Sequence, residues 1–191
     1  MRPVSFNKQK ALAEVTQLFW QQGYEGTSVQ QILDCTGLSR SSLYATFGDK
    51  RALFLQALGH FARLSEAACL PLRSGGDPRQ SVRQFFELVF FVLPEEQRRL
   101  GCLLVNTVLE QSGLDDELAT FASAQLRKVE QALEHCFEQA VANGSLARDK
   151  DPRQLAAFFM TVVRGLRVVV REGQSEALLR DTIATALNTL D

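Results

Sequence analysis

The sequence predicts an all-α protein of about nine helices, and three observations support this prediction. Its long segments carry apolar residues at the spacing of a helix face, as at Phe85, Val89 and Val92. Glycine and proline residues stand between these segments, where they end or begin helices. No segment alternates apolar and polar residues as a half-buried strand does.

The first four predicted helices lie close together in the N-terminal part of the chain. Three of them begin at a side chain that can accept a hydrogen bond from the first free backbone N–H groups of a helix. Two of them end at glycine, which adopts the left-handed conformation that closes a helix. In chain order, the signals are a stop at Gly23, a cap at Thr27 or Ser28 with a stop at Gly37, a cap at Ser39 and a cap at Asp49.

Five further helices are expected after the break that Ser74, Gly75 and Gly76 make in the chain. Proline suits the first turn of a helix and glycine the residue after its end, so these residues mark several boundaries. The predicted helices run from Pro78 to Pro94, from Leu100 to Glu110, from Leu118 to Gly144, from Pro152 to about Val169, and from Leu179 to Leu190.

The stretch TSVQQILDCTGLSRSSLYATFGDKRALF, residues 27–54, places two short helices around a tight turn that contains glycine. This is the helix-turn-helix pattern, in which the N-terminal residues of the second helix enter the major groove of DNA. Short polar side chains let the backbone approach the bases, and arginine can bond to guanine edges. A helical hairpin with a solvated, serine-rich turn is the alternative. The expected DNA contacts are Thr27, Ser28, Ser39, Arg40, Ser41, Ser42, Tyr44 and Lys50, the last two at phosphates.

Charge and composition limit the other possible functions. The formal net charge of −1 divides unevenly, because residues 1–60 carry six Lys/Arg and four acidic residues while the remainder carries fifteen and eighteen. A mildly basic segment on an acidic body is typical of a nucleic-acid module joined to another domain. Two histidines, four scattered cysteines and no glycine-rich phosphate loop predict no metal, no cofactor and no enzyme. The chain has neither a signal peptide nor a membrane-spanning run, so a cytoplasmic protein is expected.

Two segments, F-x-x-x-G-Y-E-G-T-S-V-x-x-I and T-G-L-S-R-S-S-L-Y-A-T-F-G-D-K-R-A-L-F, lie within a longer match from about Phe6 to Phe61. They resemble the N-terminal domain of the TetR/AcrR family of bacterial transcription regulators. The resemblance implies a DNA-binding head at residues 1–48 and a helical regulatory and dimerisation body at residues 49–191, with helix 49–70 linking them. It also implies a homodimer that binds a palindromic operator in double-stranded DNA, and repression that a small-molecule inducer relieves.

The dimer surface is predicted on the last two helices. Their apolar residues exceed what a thin helical body can bury, and a four-helix bundle formed by two chains would cover the excess. Periodicity does not distinguish an interface from a core, so a place in the core of one chain is the alternative. The expected interface residues are Leu155, Phe159, Val162, Leu166, Val169, Leu179, Ile183 and Leu187.

The phenylalanine-rich part of the body is a candidate wall for a ligand pocket. Thirteen Phe against one Trp and two Tyr favour an apolar or aromatic ligand. Phenylalanine at helical spacing is also common in cores, because cores and apolar pockets use the same residues. The candidate pocket residues are Phe86, Phe90, Cys102, Asn106 and Phe121, with Asn106 as a polar anchor.

Cys102 has a second interpretation. The segment G-C-L-L-V-N resembles one in a subset of the family, in which a cysteine near this place senses electrophiles or oxidants. Arg98 and Arg99 precede it at the start of a helix, where positive charge favours the reactive thiolate. The alternatives are therefore a repressor that uses Cys102 as a thiol sensor, an inert buried cysteine, and a stand-alone helical small-molecule-binding protein. The other three cysteines are expected to be packing residues.

Overall fold

The structure, a computed structural model, describes residues 7–191. These residues form ten α-helices and two 3-10 helices and contain no β-strand. Nine α-helices have eight residues or more, so the predicted all-α fold is confirmed. Phe6, at the start of the family resemblance, lies outside the described residues. The helices are α1 (Lys8–Gln22), α2 (Val29–Thr36), α3 (Arg40–Phe47), α4 (Lys50–Ala68), α5 (Pro78–Phe90), α6 (Glu95–Arg98), α7 (Leu103–Gln111), α8 (Asp116–Asn143), α9 (Pro152–Arg171) and α10 (Glu176–Leu187), with 3-10 helices at Leu70–Arg73 and Asn188–Leu190.

Side-chain caps set the starts of the N-terminal helices. Ser28 Oγ accepts a hydrogen bond from Gln31 N (3.2 Å), and Gln31 Oε1 accepts one from Ser28 N (2.7 Å), which completes a capping box at α2. Ser39 Oγ accepts a hydrogen bond from Ser42 N (3.2 Å) at the start of α3. Asp49 caps α4 with its carboxylate. These bonds satisfy backbone N–H groups that a helix cannot pair internally.

Helix α4 joins the three N-terminal helices to the body. It packs against α1 and α3, and also against α5, α7 and α8. Leu53, Phe54 and Leu58 on this helix are completely buried, and Phe61 is nearly so. The hydrophobic core therefore continues without interruption from the head into the body.

The body is organised around α8, its longest helix, with α7 and α9 packed along it. Phe86, Phe90, Phe137 and Phe159 form a buried aromatic cluster in which neighbouring ring centroids lie 5.6–6.1 Å apart. Aromatic pairs at such distances add to the free energy that apolar burial already supplies.

Five of the eight residues predicted at the dimer interface lie in the core of the single chain, so the prediction is corrected for them. Helix α9 is amphipathic, and its apolar stripe faces the core, so the periodicity selected mainly core residues. Three residues of the prediction, Leu155, Val162 and Val169, are half-buried and lie at the edge of this stripe, where they pack partly against the core. The five buried residues are Phe159, Leu166, Leu179, Ile183 and Leu187.

Two searches of the described part of the chain gave negative results. None of its helices combines the length and the hydropathy that a membrane span requires. Within residues 7–191, no three His, Cys, Asp or Glu side chains gather as a possible metal site.

Candidate DNA-binding surface and ligand cavity

The turn between α2 and α3 holds the second helix in a defined position. Gly37 adopts φ 67°, a left-handed conformation that suits glycine, and its N–H closes α2. Leu38 packs partly against the core, and Ser39 begins α3. The inner face of α3 is anchored by Leu43 and Phe47, which are 2% and 3% exposed. The orientation of the outer face of α3 is therefore fixed by the core.

The outer face of α3 presents Arg40, Ser41 and Tyr44 to solvent, and 42% of Tyr44 is exposed. These are three of the predicted DNA contacts. The Ser39 hydroxyl lies 3.0 Å from Ser41 Oγ and 2.8 Å from Ser42 Oγ, in addition to its capping bond. Ser39 and Ser42 therefore help to form the helix start, and their contact with DNA stays a prediction. Ser28 likewise caps α2, and its contact with DNA also stays a prediction.

Thr27 is not a DNA contact, and this prediction is corrected. Its side chain is completely buried, and its Oγ1 donates a hydrogen bond to Gly23 O (2.7 Å). Thr27 therefore stabilises the turn between α1 and α2. The sequence offered either Thr27 or Ser28 as the cap of α2. In the structure, the Thr27 side chain is buried and Ser28 caps the helix.

Two lysines flank the exposed face of α3. Lys50 Nζ lies 4.3 Å above the centroid of the Tyr24 ring, at the first turn of α4. Lys8 Nζ donates to Thr46 O (3.5 Å) and lies 5.4 Å from the Phe47 ring centroid. A cation held over an aromatic ring is oriented while it keeps its charge for a phosphate. The sequence predicted a site at Lys50 and missed Lys8, because only packing brings α1 to the end of α3.

Charged hydrogen bonds connect the head to the body. The Glu110 carboxylate accepts from the backbone N–H groups of Tyr24 (3.2 Å) and Glu25 (2.9 Å). Arg51 forms a two-pronged ion pair with Asp115, with N···O distances of 2.6 and 3.0 Å. The Arg51 hydrogen bond lowers the pKa of Asp115 to about 2, so the pair is ionised at neutral pH. The sequence did not indicate any of these contacts.

A cavity of about 290 Å³ lies where α1, α4, α5, α7, α8 and α9 meet. Its wall is mostly apolar, and a few polar side chains reach it, which is typical of small-molecule sites. The apolar wall includes Phe61, Phe85, Leu104, Met160 and Val163, and the polar groups belong to Trp20, Ser65, Cys102 and Arg167.

Among the five predicted pocket residues, only Cys102 lines this cavity. Phe86 and Phe90 are 1% exposed and face the aromatic core, because Phe85, Leu88 and Val89 form the face of α5 that lines the cavity. The pocket assignment of Phe86 and Phe90 is therefore corrected to core.

Asn106 and Phe121 also lie outside the wall of this cavity, and Asn106 borders two other clefts, so their contact with a ligand stays a prediction. The Asn106 side-chain amide donates to Leu100 O (2.9 Å) and so stabilises the loop before α7. Phe121 is half-buried on α8 and packs against the edge of the core.

Arg167 and Trp20 are the polar features of the cavity that the sequence did not reveal. Arg167 Nη1 donates to Gly101 O (3.3 Å), and its guanidinium carbon lies 4.7 Å from the Phe90 ring centroid. Burial lowers the pKa of Arg167. Trp20 Nε1 is buried and has no hydrogen-bond acceptor in the described part of the chain. A buried donor without a partner is costly and therefore uncommon.

The four cysteines occupy different environments. Burial raises the pKa of Cys69 and of Cys136 to about 11, so both are neutral thiols at physiological pH and suit a packing role. Cys35 is exposed on α2, so its expected packing role is corrected. Cys102 is 6% exposed and lines the cavity near Arg167. Its role as a thiol sensor stays a prediction.

Comparison with known proteins identifies the family. Two protein-family models match the chain. The model for "Bacterial regulatory proteins, tetR family" matches residues 12–57, and the model for "Tetracyclin repressor-like, C-terminal domain" matches residues 78–187. The chain belongs to the TetR family. The HTH-type transcriptional regulator YezE of Bacillus subtilis (strain 168) is 30% identical over 192 residues, which cover 100% of this chain and 99% of that protein.

Two further TetR-family relatives are similar over nearly the whole chain. The HTH-type transcriptional repressor ComR of Escherichia coli (strain K12) is 27% identical over 190 residues, which cover 97% of this chain and 90% of that protein. A cysteine mutant of the TetR family transcriptional regulator CifR, complexed with 26-base-pair double-strand operator DNA, has a TM-score of 0.87. It is 27% identical, and the match covers 100% of both chains.

Membership of the TetR family confirms the family resemblance and the helix-turn-helix head. It also confirms that the chain is a DNA-binding transcriptional regulator. The match at residues 12–57 spans α1 to α3 and the first turns of α4. The division between residues 48 and 49 stays a prediction.

Thr27→Val is expected to lower the free energy of unfolding by about 1–2 kcal/mol, because it leaves the half-buried Gly23 carbonyl without the Thr27 hydroxyl donor. Ser41→Ala, at an exposed position of α3, is the matched control and is expected to change it by less than about 0.5 kcal/mol. Urea unfolding of both variants measures the difference. An equally small effect of both substitutions would contradict the structural role of Thr27.

Proposed function

We propose that this TetR-family regulator is a cytoplasmic homodimeric repressor, and not an enzyme, that binds a palindromic operator and leaves it when a small molecule occupies the cavity. The observation that carries this proposal is the outer face of α3. It exposes Arg40, Ser41 and Tyr44 on a helix whose other face is fixed in the core. The similarity to the repressor ComR and to operator-bound CifR supports it.

Each exposed group of the head suits a different part of a DNA duplex. The Arg40 guanidinium, in the first turn of α3, suits the O6 and N7 acceptors of guanine in the major groove. The Tyr44 hydroxyl, one turn later, suits a phosphate, and the oriented Lys50 and Lys8 ammonium groups suit phosphates on either side. Phosphate contacts position the head, and the base contact supplies sequence discrimination.

The proposed dimer face is the outer face of α9 together with the adjoining face of α10. A single helix-turn-helix head covers one half-site, so a two-fold dimer is needed to bind a palindrome. At Gly165, an added Cβ would meet no atom within 4 Å, so a partner helix could approach α9 closely there. The apolar residues of this face are Phe158, Val168 and Leu178, which are 41–44% exposed, and the half-buried Leu155, Val162 and Val169.

The helices that form the cavity wall explain how a bound ligand would release the protein from its operator. Its wall includes Trp20 on α1 and Phe61 and Leu64 on α4, so a bound molecule contacts both the head and its connecting helix. A ligand that prefers a different orientation of these helices lowers operator affinity by its differential binding free energy.

A thiol sensor at Cys102 is the second candidate for the regulatory signal. The observation in its favour is that Cys102 and the cationic Arg167 both line the cavity, where a small reagent can reach them.

For the thiol sensor, hydrogen peroxide is expected to weaken operator binding by the wild-type chain, and a thiol reductant is expected to restore it. Cys102→Ser is expected to remove this response, while Cys35→Ser, at the exposed cysteine, is the control and keeps it. Electrophoretic mobility shift of the operator measures the effect. An undiminished response in Cys102→Ser would exclude Cys102 as the sensor.

For the DNA-binding surface, the operator is first selected from a pool of random duplexes at physiological salt, where specific binding has a Kd of roughly 10⁻⁸–10⁻¹¹ M. Arg40→Ala is expected to weaken binding about tenfold or more and to relax specificity at one base pair in each half-site. Tyr44→Phe is expected to weaken binding to all sequences. Fluorescence anisotropy as a function of salt measures both effects.

Arg127→Ala is the control for these variants, because Arg127 is an exposed arginine on α8 of the body. It is expected to bind the operator like the wild-type chain. Unchanged affinity in Arg40→Ala and Tyr44→Phe would contradict the assignment of α3 as the recognition helix. Failure to enrich any sequence would instead favour a stand-alone helical small-molecule-binding protein.

For the dimer face, Phe158→Arg is expected to raise the dimer dissociation constant by at least about tenfold, because it places a charge in an apolar interface. Leu114→Arg is the control, since Leu114 is 74% exposed between α7 and α8, away from this face. Light scattering over a concentration series measures the mass of both variants. A Phe158→Arg variant that dimerises like the wild type would exclude this face.

A further inference from the structure

Arg167 brings a positive charge to the wall of an apolar cavity. Within residues 7–191, no carboxylate forms an ion pair with its guanidinium. Its one hydrogen bond in this part of the chain goes to Gly101 O, and its contact with Phe90 is a cation–π contact. Arginine carries five N–H donors and stays charged in proteins. Most of the donors of Arg167 are therefore without a protein acceptor.

Trp20 contributes an aromatic ring to the wall of the same cavity. The residue is about nine-tenths buried, and its Nε1 is buried without an acceptor within the described residues. Its ring packs edge-on against Phe61, at 5.1 Å between centroids. Trp20 belongs to α1 and Arg167 to α9, so the cavity wall combines residues from the head and from the body.

We propose that the cavity binds a small organic acid with an apolar body, whose carboxylate pairs with Arg167. The apolar part of the acid packs against Phe85, Leu104 and Met160. The cavity volume of about 290 Å³ lies at the lower end of the range of about 300–1,000 Å³ for small-molecule sites, so the acid is compact.

The charge of the ligand follows from the surroundings of Arg167. A carboxylate matches the planar guanidinium with two parallel hydrogen bonds, and such charge-assisted bonds are stronger than neutral ones. An amide of the same shape offers one carbonyl acceptor and no charge. A purely apolar ligand leaves the free donors of Arg167 without acceptors, and a cationic ligand is repelled by Arg167. The apolar or aromatic ligand expected from the sequence thus becomes an amphipathic acid.

Only the effect of the acid on DNA rests on the proposed function, because binding to the cavity requires neither a dimer nor an operator. With that function, the acid contacts Trp20 on α1 and Phe61 on α4. It therefore acts on the two helices that set the orientation of the head.

The fluorescence of Trp20 reports binding directly, since Trp20 is the only tryptophan in the sequence and lines the cavity. The full chain is titrated with benzoate, 3-phenylpropionate and hexanoate, and with the primary amide of each acid. We expect a saturable change in Trp20 emission with at least one acid, and at least about tenfold weaker binding of its amide.

Arg167→Met keeps most of the side-chain volume and removes the charge. It is expected to weaken binding of the acid at least about tenfold and to leave binding of the amide unchanged. Arg167→Lys, which keeps the positive charge, is expected to retain part of the affinity for the acid. Arg171→Met, one turn further along α9 and outside the cavity wall, is the matched control and is expected to bind like the wild type. Circular dichroism checks that each variant is folded.

Any of three results overturns the proposal. The first is that no acid changes the emission of Trp20. The second is that each acid binds no better than its amide. The third is that folded Arg167→Met and Arg167→Lys both bind the acid like the wild type.

The same protein preparations are tested for operator selection, so that the two proposals fail separately. Acid binding by a chain that selects no DNA sequence supports this inference and contradicts the proposed repressor function. Operator binding by a chain that binds no acid supports the repressor function and overturns this inference alone.

Discussion

The structure depends on one continuous apolar core that passes through α4 from the head to the body. Near its start, Phe54 lies 4.7 Å from the Phe19 ring centroid and 4.9 Å from that of Tyr24. Two turns later, Phe61 packs against Trp20 and reaches the cavity. Because α4 is buried along both parts, the head cannot change its orientation without disturbing the packing around the cavity. Under the proposed function, coupling between the ligand and DNA needs no long chain of contacts, since the cavity and the head share this core.

Helix α7 forms a second connection between the cavity and the head. Leu104 and Val105, near its start, line the cavity, and Glu110, near its end, accepts hydrogen bonds from the turn after α1. The ion pair between Arg51 and Asp115 ties the start of α4 to the start of α8. A displacement of α7 by a bound molecule would reach the head through Glu110, because a helix of this length moves as a rigid body.

The polar residues of the helix-turn-helix segment divide into those that build it and those that face outward. Thr27 is buried in the turn after α1, and the hydroxyl groups of Ser28 and Ser39 accept capping hydrogen bonds. Arg40 and Tyr44 are exposed and have long side chains that reach beyond the surface of α3. A serine-rich sequence at this position is as much a requirement of helix capping as of access to DNA.

The sequence by itself located the nine longer helices, because caps, glycine stops and apolar spacing act within a few residues of one another. It did not reveal α6, and it placed the end of α5 at Pro94 where the helix ends at Phe90. It also indicated the family and the position of the helix-turn-helix segment. Only the tertiary structure decided that Phe85 and not Phe86 lines the cavity, and that Phe159 and not Phe158 lies in the core. Neighbours in a helix point about 100° apart, and the packing of other helices chooses between them. The position of the Arg167 guanidinium in the cavity wall was likewise decided by the tertiary structure, since this group lies where α5, α7 and α9 meet.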